Sequence, residues 1–194
     1  MARDMKGYGE MQRFLIWLAT AATLTFAPPG AAGQGDPRLD VLFDKLKSTA
    51  DVVEARSIEK SIWRVWLLSG DAKVDSIMAR GLRAMTFRDH AAALGMFDQI
   101  VNRAPGFAEG WNKRATIYYM LGNYDASVAD IERTLALEPR HFGALSGLGL
   151  IRLAQGNETA ALEAFDAALA VHPNLSGADS HIRKLRQRVR GRRI

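Results

Sequence analysis

The side chains best suited to proton transfer or metal binding are the four histidines, at positions 90, 141, 172 and 181. No two of them stand three or four residues apart, the spacing that would bring both to one face of a helix as metal ligands. His141 and His172 sit beside Pro139 and Pro173, where a loop or capping role accounts for them. Ser146 follows Ala144 and Leu145 and precedes Gly147. It therefore lacks the glycine two positions earlier that a nucleophile elbow needs for its sharp turn. Gly147 and Gly149 begin a Gly-x-Gly, but Arg152 stands where a third glycine would let the backbone approach a phosphate, and no strand pattern precedes it. Asp98, Glu132 and Asp166 recur at an even spacing, which makes a solvated or salt-bridging stripe rather than an acid and base converging on one substrate. Cysteine is absent, which excludes disulfides, thiolate ligands and a cysteine nucleophile. These patterns point to a non-enzymatic protein with no cofactor, no metal and no small-molecule substrate.

Charge gives a more positive signal. Of the +5 net charge on 194 residues, the basic excess is concentrated at the C-terminus, in Arg183, Lys184, Arg186, Arg188, Arg190, Arg192 and Arg193. The body of the chain before them is net negative, so the basic character belongs to the tail. Such a run is either the solvated face of a helix or an attachment point for an anionic surface, such as phospholipid head groups, lipopolysaccharide, peptidoglycan or an acidic protein. It contains no aromatic residue to stack on bases, and no nucleic-acid partner is expected.

At the other end Arg3, Lys6 and Arg13 precede the apolar stretch from Phe14 to Ala27, and Pro28, Pro29 and Gly30 break it before Ala31, Ala32 and Gly33. Basic, apolar and small-residue regions in that order read as a secretory signal peptide over residues 1–33, cleaved near Ala32 or Gly33. The apolar stretch falls short of the roughly 20 residues that span a bilayer. The expected location is periplasmic or secreted in a bacterium, with an inner-membrane anchor as the alternative if the signal is retained. Met11 is a second candidate start.

The elements that would carry any site come from a repeat. Residues 74–107, 108–141 and 142–175 align without a gap as three blocks of equal length. Gly81, Ala115 and Gly149 share the eighth position, Ala93, Ser127 and Ala161 the twentieth, and Pro105, Pro139 and Pro173 the thirty-second. Large apolar residues recur between them, with Ile77, Trp111 and Leu145 at the fourth position and Phe97, Ile131 and Phe165 at the twenty-fourth. Small residues where two helices cross let their backbones approach, and large ones fill the flanking holes. The expected first helices are 75–87, 109–121 and 143–155, and the second helices 90–103, 124–137 and 158–171. Arg88-Asp89, Gly122-Asn123 and Gly156-Asn157 separate them, supplying a left-handed end and a cap.

These positions resemble the tetratricopeptide repeat (TPR) signature. In the middle block Trp111, Ala115, Tyr118, Gly122, Tyr124 and Pro139 occupy the places of that family's Trp, Gly or Ala, Tyr, Gly, Tyr and Pro. The block departs from the pattern where Arg114, like Arg80 before it, replaces leucine and where Ser127 and Thr134 replace alanines; Arg152 replaces a tyrosine in the third block. The resemblance implies an all-α, right-handed superhelical array of three TPR helix-turn-helix repeats over 74–175. Residues 34–73 read as an N-terminal helical hairpin cap. Asp36-Pro37 opens its first helix, and Asp51 with Glu54 forms a capping box for its second. Residues 176–194 read as a basic C-terminal capping helix and tail, with Ile182, Leu185 and Val189 expected along its apolar face.

The resemblance also implies a ligand-binding concave face lined by the first helix of each repeat. The residues expected there include Met78, Leu82 and Met85, then Asn112, Thr116 and Tyr119, then Ser146, Leu150 and Leu153. The family's lysine-and-asparagine clamp for a C-terminal carboxylate is absent, because Met78 and Leu82 stand at its positions. What remains is an adaptable apolar lane edged by polar groups. It suits an adaptor that binds a peptide segment of an unidentified envelope protein, with anionic-surface binding through the tail as the alternative. The competing outcome is that the N-terminal hairpin fills the lane.

Overall fold

The computed structural model describes residues 32–175 together with residues 182, 185, 186 and 188. Residues 1–31, which include most of the segment read above as a signal peptide, and Arg183, Lys184, Arg190, Arg192 and Arg193 lie outside the described residues. A short 3-10 turn, Gly33–Gly35, leads into α1 (Arg38–Ser48) and α2 (Val52–Trp66). Three helical pairs follow: α3 (Ala72–Thr86) with α4 (His90–Arg103), α5 (Ala108–Met120) with α6 (Tyr124–Leu137), and α7 (Phe142–Ala154) with α8 (Glu158–Val171). Each pair packs internally, and α4 on α5 and α6 on α7 join the pairs into a superhelical array.

Local chemistry repeats with the period. Asp89, Asn123 and Asn157 cap α4, α6 and α8 by accepting the N–H of Ala92, Ala126 and Ala160. The residue before each cap is left-handed, with φ of 57° at Arg88 and 75° at both Gly122 and Gly156. Arginine thus occupies in the first repeat a conformation that the other two give to glycine.

The small and large positions are sterically coupled. A Cβ on Gly81 would stand 2.6 Å from the Phe97 ring, and one on Gly149 would stand 2.6 Å from the Phe165 ring. The middle repeat has Ala115 against the slimmer Ile131 at the same two positions, both buried. Ser127 and Thr134 also fit: both are buried, and their hydroxyls donate to the carbonyls of Ala115 and Asp130 at 2.7 and 2.9 Å.

Arg114 is held too. Its guanidinium donates to Asp130 at 2.7 and 2.8 Å and to Asp98 at 2.9 Å, and lies over the rings of Trp111 and Tyr118. The hydrogen bond with Asp130 is the main reason its pKa is raised further.

Two flanking expectations need correction. Glu54 does not close a reciprocal capping box: Asp51 accepts the N–H of Val53 and Glu54, but the Glu54 carboxylate accepts from the Thr49 hydroxyl. More consequentially, the N-terminal hairpin reaches well beyond the first repeat it was expected to cap. The 3-10 turn binds the connection between repeats one and two, with Gln34 donating to the Gly106 carbonyl and accepting the Ala108 N–H. Further along, Asp40 pairs with Arg140 at 2.7 Å, and the Thr49 carbonyl accepts from Asn174 at 2.9 Å. The hairpin core of Leu39, Phe43, Leu46, Ile58, Ile62 and Trp66 closes over Phe142, with Val171 and Leu175 packed beside it. It lies along the array edge formed by the connections between repeats, and reaches the third repeat. At the C-terminal side Ile182 and Leu185 are buried against Ala161 and Phe165.

Candidate functional site

The concave positions divide into a covered half and an open half. In the covered half α2 lies over the starts of α5 and α7. Trp66 stacks on His141 with ring centroids 4.0 Å apart and planes 8° from parallel, while Trp63 meets His141 and Phe142 edge-on. Gly143 makes room for Trp63, since a Cβ there would stand 2.6 Å from its ring.

Beneath the tryptophans lies a buried polar group centred on Glu109. His141, the cap of α7, accepts the Ala144 N–H at Nδ1. Its proton therefore sits on Nε2, which donates to Glu109 at 2.9 Å. Asn112 donates to the same carboxylate oxygen at 3.0 Å. The Lys113 ammonium stands 2.8 Å from the other oxygen, approaching off the hydrogen-bonding direction as an ion pair. Burial pushes the Glu109 carboxyl up, but the Lys113 charge and the His141 hydrogen bond outweigh it and leave the carboxyl below its ordinary range. One Glu109 oxygen is thus held by His141 and Asn112 and the other by the Lys113 charge, which ties the starts of α5 and α7 together.

In the open half, one cleft of about 330 Å³ lies between α5 and α7. Asn112, Thr116 and Tyr119 from α5 and Ser146 and Leu150 from α7 all line it, over a floor that includes Ala115, Ile131, Ala144 and Ile151. Five of the nine expected concave residues are thus brought together. Gly147 and Met120 complete the walls, and the Ser146 hydroxyl is buried there without a hydrogen-bond partner among the described residues.

The other four expected residues are elsewhere. Met78 is a correction: at 2% exposure it belongs to the first-repeat core with Val74, Phe97 and Ile117, and offers a ligand nothing. Leu82 and Met85 pack beside that same core, and Leu153 packs beside Ala161, Phe165, Ile182 and Leu185. The lane is therefore confined to the second and third repeats. A further cleft of about 480 Å³ lies between α1 and α2 on the hairpin, lined by Val41, Leu42, Val65 and Leu68 with Arg38 and Arg64.

Of the basic tail, Arg186 pairs with Asp166, and Arg188 donates to Glu158 at 2.9 Å. Two of the seven cations thus face acidic side chains of α8. Asp98 and Asp166, from the evenly spaced acidic row, are both in ion pairs. Among the described residues no three carboxylates or histidines gather as metal ligands, and no helix is long and apolar enough to cross a membrane.

Sequence reasoning placed Glu109 and Gly143 on the concave side without foreseeing their partners, and it missed Lys113, Trp63 and Trp66 at this face. The signal for Gly143 was its lack of a side chain at a position where the equivalent residues are Asp75 and Glu109.

An all-helical array with coupled small and large positions and a cleft along its first helices defines a helical-repeat protein. The chain belongs to the tetratricopeptide repeat family, whose model matches residues 78–133 and 113–176. A TPR repeat-containing protein of Rhizobium etli is 37% identical over 163 residues, spanning 84% of this chain and 80% of the relative. Among solved structures, the TPR2B-domain:pHsp70 complex of yeast Sti1 superposes with a TM-score of 0.56 at 23% identity, covering 61% of this chain and 99% of that one. The first TPR of Spaghetti (RPAP3), bound to an HSP90 peptide, superposes with a TM-score of 0.58 at 20% identity, covering 61% of this chain and 95% of that one.

Proposed function

We propose that this protein is an adaptor of the bacterial cell envelope that binds a segment of another protein in the cleft between α5 and α7. The observation that carries the reading is the cleft itself: five residues expected on the concave face converge there around small residues that let a ligand backbone approach. Thr116, Tyr119 and Leu150 form its partly exposed wall, beside the unpartnered hydroxyl of Ser146. The likeness to arrays named with bound chaperone peptides supports a peptide as ligand. Recognition here differs in chemistry from a carboxylate clamp, because Met78 and Leu82 bring no charge or amide to those positions. Apolar contact with Tyr119, Met120 and Leu150 carries affinity instead. Export rests on the order of Arg3, Lys6 and Arg13, the apolar stretch from Phe14 to Ala27, and the small residues after it.

A photo-crosslinking amino acid at Thr116, activated in intact cells, is expected to trap a defined protein. Tyr119→Ala combined with Leu150→Glu should abolish the adduct; an adduct that persists unchanged rules out this cleft. Sequencing the N-terminus of the purified native protein tests export, and an intact residue 1 on protein recovered from the cytoplasm contradicts it.

A further inference from the structure

The helix α2 shows what the covered half of the concave face accepts. Trp63 and Trp66 are three residues apart, hence on one side of the helix. One lies over Gly143 with the Lys113 ammonium 4.9 Å from its ring centre, and the other lies flat on His141. One turn before Trp63, Glu59 stands 3.3 Å from His172 Nε2. The seat is an aromatic-lined groove with a cation beside it, on a floor of paired polar groups.

The fit between strap and seat is incomplete. Trp66 Nε1 and His172 Nδ1 are both buried in this joint without hydrogen-bond partners among the described residues. Each such orphan carries a desolvation penalty that water repays when the joint opens. Covalently, the hairpin is tied to the array only through the connection from Leu67 to Asp71, where Gly70 has a φ of 82°. The seat is also continuous with the open cleft, because Asn112, Gly143 and Ala144 line the cleft while Gly143 holds Trp63.

We propose that residues 36–69 form a displaceable strap held in cis on a helix-accepting surface, and that this surface takes in trans an amphipathic helix of another protein with aromatic side chains three residues apart. The proposal rests on the concave-face reading above and names the form of its ligand. A helix entering the cleft and needing the whole face displaces α2, and the closed strap lowers apparent affinity by the fraction of molecules that are open.

Two measurements on the full chain test this. Hydrogen exchange of the unaltered protein should show the amides of α1 and α2 exchanging at least about tenfold faster than those of α5 and α6, as local opening requires. Equal exchange across all four helices overturns the strap. In the second measurement the probe is a fluorescein-labelled peptide of residues 36–69, followed by anisotropy. It should bind a chain carrying Trp63→Ala and Trp66→Ala at least about tenfold more tightly than the unaltered chain, whose own strap competes. The same peptide with both tryptophans replaced by alanine should not bind. Equal affinity for the two chains, or binding by the substituted peptide, overturns the assignment. So does a dimer of the unaltered chain in light scattering that the two substitutions abolish, because the surface would then serve self-association. Crosslinking at Thr116 reports on the open cleft independently of all these outcomes.

Discussion

Gly149→Ala probes the steric rule that links the eighth and twenty-fourth positions of each repeat. A Cβ at Gly149 would stand 2.6, 2.7 and 2.8 Å from three atoms of the Phe165 ring, closer than carbon atoms approach without displacement. Overpacking of this kind costs about 1–3 kcal/mol. Replacing a glycine inside a helix by alanine returns about 1 kcal/mol through helix propensity. The single substitution should therefore destabilise the protein by about 1 kcal/mol. Phe165→Ile alone leaves a hole over Gly149 and should cost about 2 kcal/mol, between the usual costs of Ile→Val and Phe→Ala. The double variant rebuilds the Ala115–Ile131 pairing of the middle repeat, whose members are 2% and 3% exposed. It should lose less than about 1 kcal/mol, which amounts to a coupling of about 2 kcal/mol between the two sites. Urea unfolding of the full chain and its three variants, followed by far-ultraviolet circular dichroism, measures the cycle. A coupling within about 0.5 kcal/mol of zero would refute the reasoning, because the two positions would then act independently.

Three further outcomes are expected. Arg88→Gly should raise stability by about 1 kcal/mol, because Arg88 holds a left-handed φ of 57° that costs a residue with a Cβ about that much; an unchanged or lower thermal midpoint counts against it. Arg114→Ala should cost about 3 kcal/mol in urea unfolding, because it leaves the buried Asp130 carboxylate without its bidentate partner. A loss as small as that of an exposed surface pair would show that the network contributes little. Glu109 supplies a pH dependence: its folded pKa lies below the ordinary value of 4.5, so its contribution is complete above that value and is lost as pH falls through the depressed folded value. Stability measured from neutral to acid pH should drop in that window, and Glu109→Gln should remove this part of the drop; an identical acid limb in the variant contradicts the assignment.

The repeats were legible because their determinants lie within 34 residues of one another. The ends of α4, α6 and α8 agree with the sequence reading to the residue, since Asp89, Asn123 and Asn157 are local caps and the closing prolines are local stops. The departures at Ser127, Thr134 and Arg114 looked awkward in one dimension. Their partners, the Ala115 carbonyl, the Asp130 carbonyl and the carboxylates of Asp98 and Asp130, become visible only once the helices are stacked. The concave residues were half legible. Position within a helix says which side a residue faces, but not whether a neighbouring element already fills that side. Met78 faces the interior of the first repeat, while Thr116 and Leu150 face open space.

The histidines that opened the sequence reading show where that limit falls. Their spacing alone excluded a helical metal pair, and the proline beside His141 suggested a cap, which it is. That the other face of His141 lies against Trp66, and that its second nitrogen serves Glu109, was decided by the tertiary structure. The sequence by itself determined the repeat period, the ends of the second helices, the small-against-large pairing and the caps between paired helices, all of which act within one 34-residue repeat. Only the folded chain decided that the N-terminal hairpin lies across the array and leaves half of the concave face open. That choice depends on Trp63 finding the bare backbone of Gly143, on Asp40 finding Arg140 and on Thr49 finding Asn174, contacts between residues too far apart in sequence for any local pattern to record.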